Sequence, residues 1–446
     1  MEKKNCDVVV IGSGIGGLCT AARLSHAGYK TIVLEMMHIL GGRFTFVDYK
    51  GYKIPTAAIA IQHGENDPIM RTLKEVGADT SFERIPAPYY PKWRIGGKDH
   101  DSPAMEEVLS YLLSVASRDK QEEERVMKAI QRCFLWHEPS DRLTVSEWLS
   151  LLTDNRTIHN IFQTWCTQVA GLNIYECPAG EFFRMLLHVA EHSLEVLFVK
   201  NGLKTVIDSL EKVITANNGE ILTRVRAQKI VVRDGKAVGV EAKGTGGEFQ
   251  IEAKAVVSNA GPMKTVWLVG EENLDYGYVK EVKDLRSTQG LGITLASNGP
   301  LYEGLGVFTP EARRTSLFLD LTMLMPDIAP KGKNLTYVYI QPESTIMYDP
   351  KKEYQVFLAD LDELFPNFKE QGGEILIAHN HSAEHGAEWT VDSAWPGCGL
   401  HHKTPVENLY IVGTAVVRKT GYYVGGSGAA ENARIVAEDI TARIPV

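Results

Sequence analysis

Residues 7–17, Asp7-Val8-Val9-Val10-Ile11-Gly12-Ser13-Gly14-Ile15-Gly16-Gly17, carry the strongest structural signal in this chain. The apolar run after Asp7 describes a buried strand, and the glycines follow it at once. An apolar-periodic helix then runs to near Gly28, and Thr31-Ile32-Val33-Leu34 forms a second strand that delivers Glu35, 23 residues after Gly12. Strand, G-x-G-x-x-G turn, helix, strand and acid in that order are the full context of a dinucleotide-binding unit. Gly12 permits the tight bend, Gly14 lets backbone approach a pyrophosphate, and Gly17 lets the helix pack closely on the sheet. Ile15 and Gly16 open the helix, whose N-terminus favours phosphate charge, and Glu35 can accept from a ribose diol. These residues predict an adenine dinucleotide site, against the plainer alternative of a glycine-rich turn that binds nothing.

At 446 residues the chain is too long for one simple core and suggests about two domains. Its 44% hydrophobic and 23% charged residues are ordinary for a soluble globular protein. A net charge of −9 with no basic tract argues against a nucleic-acid partner. Cys6, Cys19, Cys133, Cys166, Cys177 and Cys398 lie far apart with no C-x-x-C pair. That spacing predicts reduced thiols in a cytoplasmic protein, with neither a disulfide framework nor a metal site. Met1-Glu2-Lys3-Lys4-Asn5 runs straight into the first strand, so no signal peptide is expected. No stretch reaches the ~20 apolar residues of a spanning helix, which leaves at most docking on a membrane surface.

After Glu35, Gly41-Gly42-Arg43 forms a second glycine turn carrying an arginine. Residues from about 103 to 200 are helical in pattern: Thr144 with Glu147 makes a capping box, and Pro178 opens a helix expected to run to about Lys200. Beyond Glu220, Lys229-Ile230-Val231-Val232 and Ala237-Val238-Gly239-Val240 flank Asp234-Gly235, a hairpin turn signal. Ala255-Val256-Val257 is a further strand, ending at Ser258-Asn259-Ala260-Gly261-Pro262. Alternating runs between about 285 and 395 predict a second, largely antiparallel sheet. Asn408-Leu409-Tyr410-Ile411-Val412-Gly413 is a buried strand, and a helix from about Ser427 aligns Ala429, Ala433, Val436 and Ile440 in one stripe. The expected fold class is therefore α/β plus α+β. A Rossmann-like domain is assembled from the discontinuous segments 1–65, 195–265 and 395–446. Residues 66–194 and 266–394 form an inserted substrate domain of antiparallel sheet plus helical cap.

These motifs resemble the flavoprotein family of phytoene desaturases, carotenoid isomerases and retinol saturases, within the wider amine-oxidase-like superfamily. The likeness covers roughly residues 5–65, 195–265 and 395–442. It rests on the opening fingerprint with Glu35, on Gly41-Gly42-Arg43, on Val199-Lys200-Asn201-Gly202-Leu203 through the hairpin to Val256-Val257-Ser258-Asn259-Ala260, and on Leu409 to Gly413 with Gly425-Gly426-Ser427-Gly428-Ala429-Ala430. It implies noncovalent FAD, with Glu35 on the adenosine ribose, Gly42 and Arg43 beside the pyrophosphate, and backbone amides at Val225 against the adenine. Gly413, Gly425, Gly426 and Ser427 would lie at the flavin. Arg43 could grip a diphosphate bidentately, or be a surface arginine on a turn. The final glycines would let backbone approach the isoalloxazine and the following helix N-terminus favour charge near N1 and O2, or simply cap that helix.

The resemblance also implies hydride transfer to flavin N5, in a desaturation or saturation at a CH–CH bond, with an unidentified electron acceptor. The candidates for substrate contact are Tyr422 and Tyr423, with Arg418 and Lys419 nearby, and His401 with His402. Each has a bland alternative: packing for the tyrosines, a solvated loop for the histidines. His63 could reach the ring or be a satisfied core residue, and His379 and His381 share one face of a strand. The charged run Arg118-Asp119-Lys120-Gln121-Glu122-Glu123-Glu124-Arg125 leaves no broad apolar surface for drawing a polyene from lipid, which favours a smaller alicyclic or isoprenoid-like substrate. Open alternatives are a flavin amine oxidase, a redox-neutral isomerase, and a flavin-free prenyl-binding protein of the same fold, as in Rab GDP-dissociation inhibitors. The oligomeric state is unassigned.

Overall fold

The computed structural model describes residues 2–86, 91–103, 105–136, 138–192, 196–285, 289–344, 348–381, 400–416 and 425–446. Glu2–Ile11 runs parallel between Thr31–Glu35 and Gly247–Ser258, and Glu220–Thr223 extends the sheet beyond Thr31–Glu35. Val8, Val9 and Val10 are fully buried, as a central strand covered on both faces requires. Gly247–Ser258 changes neighbour along its outer edge. Its first half pairs antiparallel with Lys236–Gly244, and its last residues pair parallel with Leu409–Ile411. One strand thus gathers the beginning, middle and end of the chain into a single sheet. Asp234 and Gly235 have φ of 49° and 75°, the left-handed pair of a two-residue hairpin between Arg226–Arg233 and Lys236–Gly244.

Ile15–His26, Lys204–Ala216 and the closing helix Gly425–Arg443 pack together against this sheet. The closing helix starts two residues before the expected Ser427, and its stripe of Ala429, Ala433, Val436 and Ile440 is buried. The small residues of that stripe permit close approach: a Cβ on Gly16 would lie 3.4 Å from that of Ala429.

The second sheet has the order Glu374–His381, Gly290–Ser297, Asn334–Ile340, Thr315–Asp320, Gly306–Phe308, Lys92–Ile95, Lys98–His100. It is antiparallel except where Gly306–Phe308 meets Lys92–Ile95. One face, with Ile293, Leu295, Phe318 and Val338, packs on Phe357 and Leu361 of the helix Pro350–Leu364. The other face, with Leu317, Leu319, Leu335 and Tyr337, joins the core of the first sheet and its helices.

The cap consists of Met105–Ala116, Lys120–Leu135, Val145–Ser150, Arg156–Ala170 and Ala179–His192 around Val126, Phe162, Phe182 and Phe183. Its capping box is present, with Glu147 N donating to Thr144 Oγ1 at 3.2 Å and Thr144 N donating to Glu147 Oε2 at 2.8 Å. The helix expected to reach Lys200 stops at His192; Leu197–Val199 is instead a strand antiparallel to Arg84–Pro86. All three of its residues are buried, and a partner more than a hundred residues away overrides the local helical pattern. The charged run at 118–125 is not wholly a solvated face either. Glu122 is buried, and its carboxylate accepts from Arg118, Thr153 and Asn155.

Candidate functional site: two facing glycine turns

The parallel strands end at Ile11, Glu35, Ser258 and Ile411, on the side where an open α/β sheet binds its ligand. Gly12 has φ of 96°, and a Cβ on Gly17 would lie 2.1 Å from Gly12 O, so the first helix sits directly on the turn. Gly14 is that helix's N-cap; no side chain caps it and no acid lies in its first turn. Gly41 N donates to Ser13 O at 2.9 Å, and a Cβ on Gly42 would lie 3.4 Å from Gly14 Cα. The two glycine turns therefore face each other across backbone alone, at an acid-free helix end. That cradle fits a diphosphate. Arg43, half-buried, follows directly, and its neighbour Phe44 enters the core.

Glu35 closes one end of the cradle. Its Oε2 accepts from Ser13 N at 3.0 Å and Ser13 Oγ at 2.6 Å, and its Oε1 accepts from Met37 N at 2.7 Å. The carboxylate is thereby aimed and almost buried, and a ribose diol would share its remaining lone pairs or replace the Ser13 hydroxyl. Val225 sits beside it, in the link between Glu220–Thr223 and Arg226–Arg233 and not on a strand. Val225 N donates to Glu35 O at 2.9 Å, so this amide is occupied within the fold. The Val225 carbonyl and side chain remain the groups through which it would face an adenine.

At the other end, Asn259 joins first and last segments. With the side-chain amide turned so that both ends find partners, its nitrogen donates to Val412 O at 3.1 Å and its oxygen accepts from Gly14 N at 3.2 Å. Gly413, with φ of 131°, packs 3.3 Å from the same amide if given a Cβ, and its carbonyl accepts from Asn432 Nδ2 at 2.9 Å. A Cβ on Gly426 would lie 2.8 Å from the ring of Phe44, so the closing helix abuts the Arg43 turn. Among the described residues, nothing lies within 4 Å of where a Cβ on Gly425 would be. Ser427 spends its hydroxyl proton inside the fold: Oγ donates to Asp67 Oδ2 at 2.6 Å, leaving its backbone and the Oγ lone pairs for a cofactor.

Tyr422, Tyr423, Arg418, Lys419 and Cys398 lie outside the described residues. His401 is exposed; its Nδ1 accepts from Lys403 N at 3.1 Å and its ring stacks on His402 at 4.2 Å. The two rings therefore lie together at the surface-exposed side of that segment. His63 is buried and meets His188 edge-on at 5.3 Å. His379 stands on the sheet face turned to the first domain, 6.3 Å from Tyr337, which is itself 5.0 Å from Tyr339. Sequence reasoning missed Asp67 as a site residue, although Asp67-Pro68 is a readable helix start. Among the described residues no cluster of His, Cys, Asp or Glu is placed to hold a metal ion, and no helix is long and apolar enough to cross a membrane. The described cysteines are free thiols, and burial pushes Cys19 up to about 12, which keeps it from acting as a nucleophile.

The sequence profile of the family described as flavin containing amine oxidoreductase matches residues 15–441. A solved oxidoreductase from Methanosarcina mazei superposes with a TM-score of 0.83 at 28% identity, over 97% of this chain and 100% of that one. An uncharacterised protein from Methanocaldococcus jannaschii is 24% identical over 419 residues, 94% of this chain and 95% of its own length. A 4,4'-diapophytoene desaturase (4,4'-diapolycopene-forming) from Methylomonas sp. is 23% identical over 263 residues, which span 52% of this chain and 50% of the desaturase.

Proposed function

The chain belongs to the flavin containing amine oxidoreductase family, and from that premise we propose that it uses noncovalent FAD to oxidise or reduce a CH–CH bond in a small alicyclic or isoprenoid-like molecule. The observation that carries the FAD assignment is the pair of glycine turns locked face to face with Glu35 at one end and the Asn259-anchored turn at the other. A mononucleotide would leave the Glu35 end without purpose. When bound, FAD supplies the two-electron chemistry by taking or giving hydride at N5.

The chain's own contribution is to hold that group and exclude water. Leu317, Leu319, Tyr337, Tyr339 and Ile377 turn an apolar face toward the first domain, which suits a hydrocarbon skeleton better than a charged one. Tyr422, Tyr423 and His379 are the groups proposed to hydrogen-bond a substrate oxygen or move a proton. A relative named as a diapophytoene desaturase supports the isoprenoid class. The cytoplasm is the proposed compartment, and an oxygen, quinone or similar acceptor would complete the cycle.

The family's own description gives the second reading, a flavin amine oxidase acting on a CH–NH bond. The Tyr337 and Tyr339 rings do not argue for it, because they pack edge to face on each other with centroids 5.0 Å apart. Anaerobic bleaching of the flavin by a panel of alicyclic and isoprenoid compounds, with primary amines in parallel, separates the two. Bleaching by amines alone would overturn the proposed reaction. Product formed without net acceptor consumption would make it an isomerase.

A further inference from the structure

Resting on the FAD reading, we infer that Asp67 is a positioning residue for the flavin: through Ser427 it fixes the first turn of the closing helix and sets a buried negative charge behind it. Asp67 is fully buried. Its Oδ1 accepts from Ile69 N at 2.8 Å, which caps the helix Pro68–Glu75. A cap needs no more than that. Its Oδ2 is turned the other way, accepting from Ser427 Oγ at 2.6 Å and from His63 N at 3.3 Å. One carboxylate therefore ties together three segments that converge on the cradle: the stretch ending at His63, the helix at Pro68, and the closing helix 360 residues further on.

The tether has a geometric consequence. Gly426 has no room for a Cβ against Phe44, the residue after Arg43, so it is glycine here that lets the closing helix pack against the second glycine turn. Ser427 and Asp67 hold it there. The tether also has an electrostatic one. A helix N-terminus carries roughly half a positive charge, and the closing helix has no acid in its own first turn. Asp67 supplies that acid from outside. Burial, the largest influence, raises its carboxyl above the ordinary value, while the bonds from Ser427, Ile69 and His63 and the neighbouring Arg71 charge pull back toward the ionised form. A charge in this position offsets the helix end and makes the site less favourable for the extra electrons of reduced flavin than an uncompensated helix would be.

The test uses the holoprotein and two variants. Asp67→Asn keeps the shape and removes the charge; reduced FAD should gain about tenfold in affinity relative to oxidised FAD, read as a midpoint potential raised by about 30 mV for two electrons. Ser427→Ala keeps the charge and cuts the tether; oxidised FAD should bind about tenfold more weakly, and the apoprotein should also melt lower because a buried carboxylate loses a donor. If the Asp67 variant does not fold, the Ser427 variant decides alone. A potential and an FAD affinity equal to wild type in the folded variants would overturn the inference and leave Asp67 a helix cap, even if melting falls. Wild-type protein that binds no FAD would overturn the flavin reading itself.

Discussion

Replacing Glu35 by Gln probes the adenosine end of the cradle with one atom changed. The carboxylate holds Met37 N on Oε1 and Ser13 N on Oε2. A glutamine keeps a single acceptor oxygen, so one of those amides loses its partner and the turn loses part of its aim. Hydrogen bonds to a charged group contribute about 1.5–3 kcal/mol, against about 0.5–1.5 for a neutral one. For one ribose diol the difference comes to roughly 1.5 kcal/mol, or about tenfold in the dissociation constant. Calorimetric titration of the apoprotein with FAD, ADP and FMN reads this directly, because ADP carries the adenosine ribose and FMN lacks it. FAD and ADP should each weaken about tenfold, while FMN stays within about twofold. Equal weakening of FMN and FAD, or unchanged ADP binding, would refute the placement of Glu35 on the ribose.

Four other substitutions have defined outcomes. Gly17→Ala places a Cβ 2.1 Å from Gly12 O, forcing the first helix off its turn; thermal unfolding should show a loss of roughly 1–3 kcal/mol together with poor FAD retention. Gly246→Ala, with nothing within 4 Å, should change neither. Glu122→Gln tests the cap. Arg118 above all, then the Arg118 amide, Thr153 and Asn155, hold the Glu122 carboxyl well below its ordinary 4.5. Its folded value is depressed, so its contribution is full above about the ordinary value and is lost as pH falls through the folded one. The variant should be less stable by about 2 kcal/mol at pH 7 in denaturant titration, and the gap should narrow below pH 4.5. Thr144→Ala removes the capping box and should cost about 1 kcal/mol by the same titration without altering the flavin spectrum.

The opening unit was legible because its signals are local: the buried run Val8–Ile11, glycines whose missing side chains the turn requires, and an acid at the end of the next strand. The hairpin at Asp234-Gly235 and the Thr144 capping box were legible for the same reason. What was missed depends on partners far along the chain. Leu197–Val199 continues an apolar helix on paper, but Arg84–Pro86 offers it a strand edge. Lys92–Ile95 is too short to announce itself and is recruited by Gly306–Phe308. Glu122 looked like one more charge in a charged run until Thr153 and Asn155 folded over it. Asp67 was passed over altogether: Asp67-Pro68 signals a helix cap at most, and its second role exists only because Ser427 arrives beside it. The adenine expectation for Val225 came from likeness alone, and no local signal in the sequence shows that its amide bonds the Glu35 carbonyl.

The central claim is that the facing glycine turns hold FAD. An absorbance spectrum of the purified protein, followed by acid release of the chromophore and its chromatographic identification, tests this most directly. The account predicts the two bands of oxidised flavin and free FAD in the supernatant. A colourless protein that stays colourless after incubation with FAD would contradict it and bring the prenyl-binding alternative to the front.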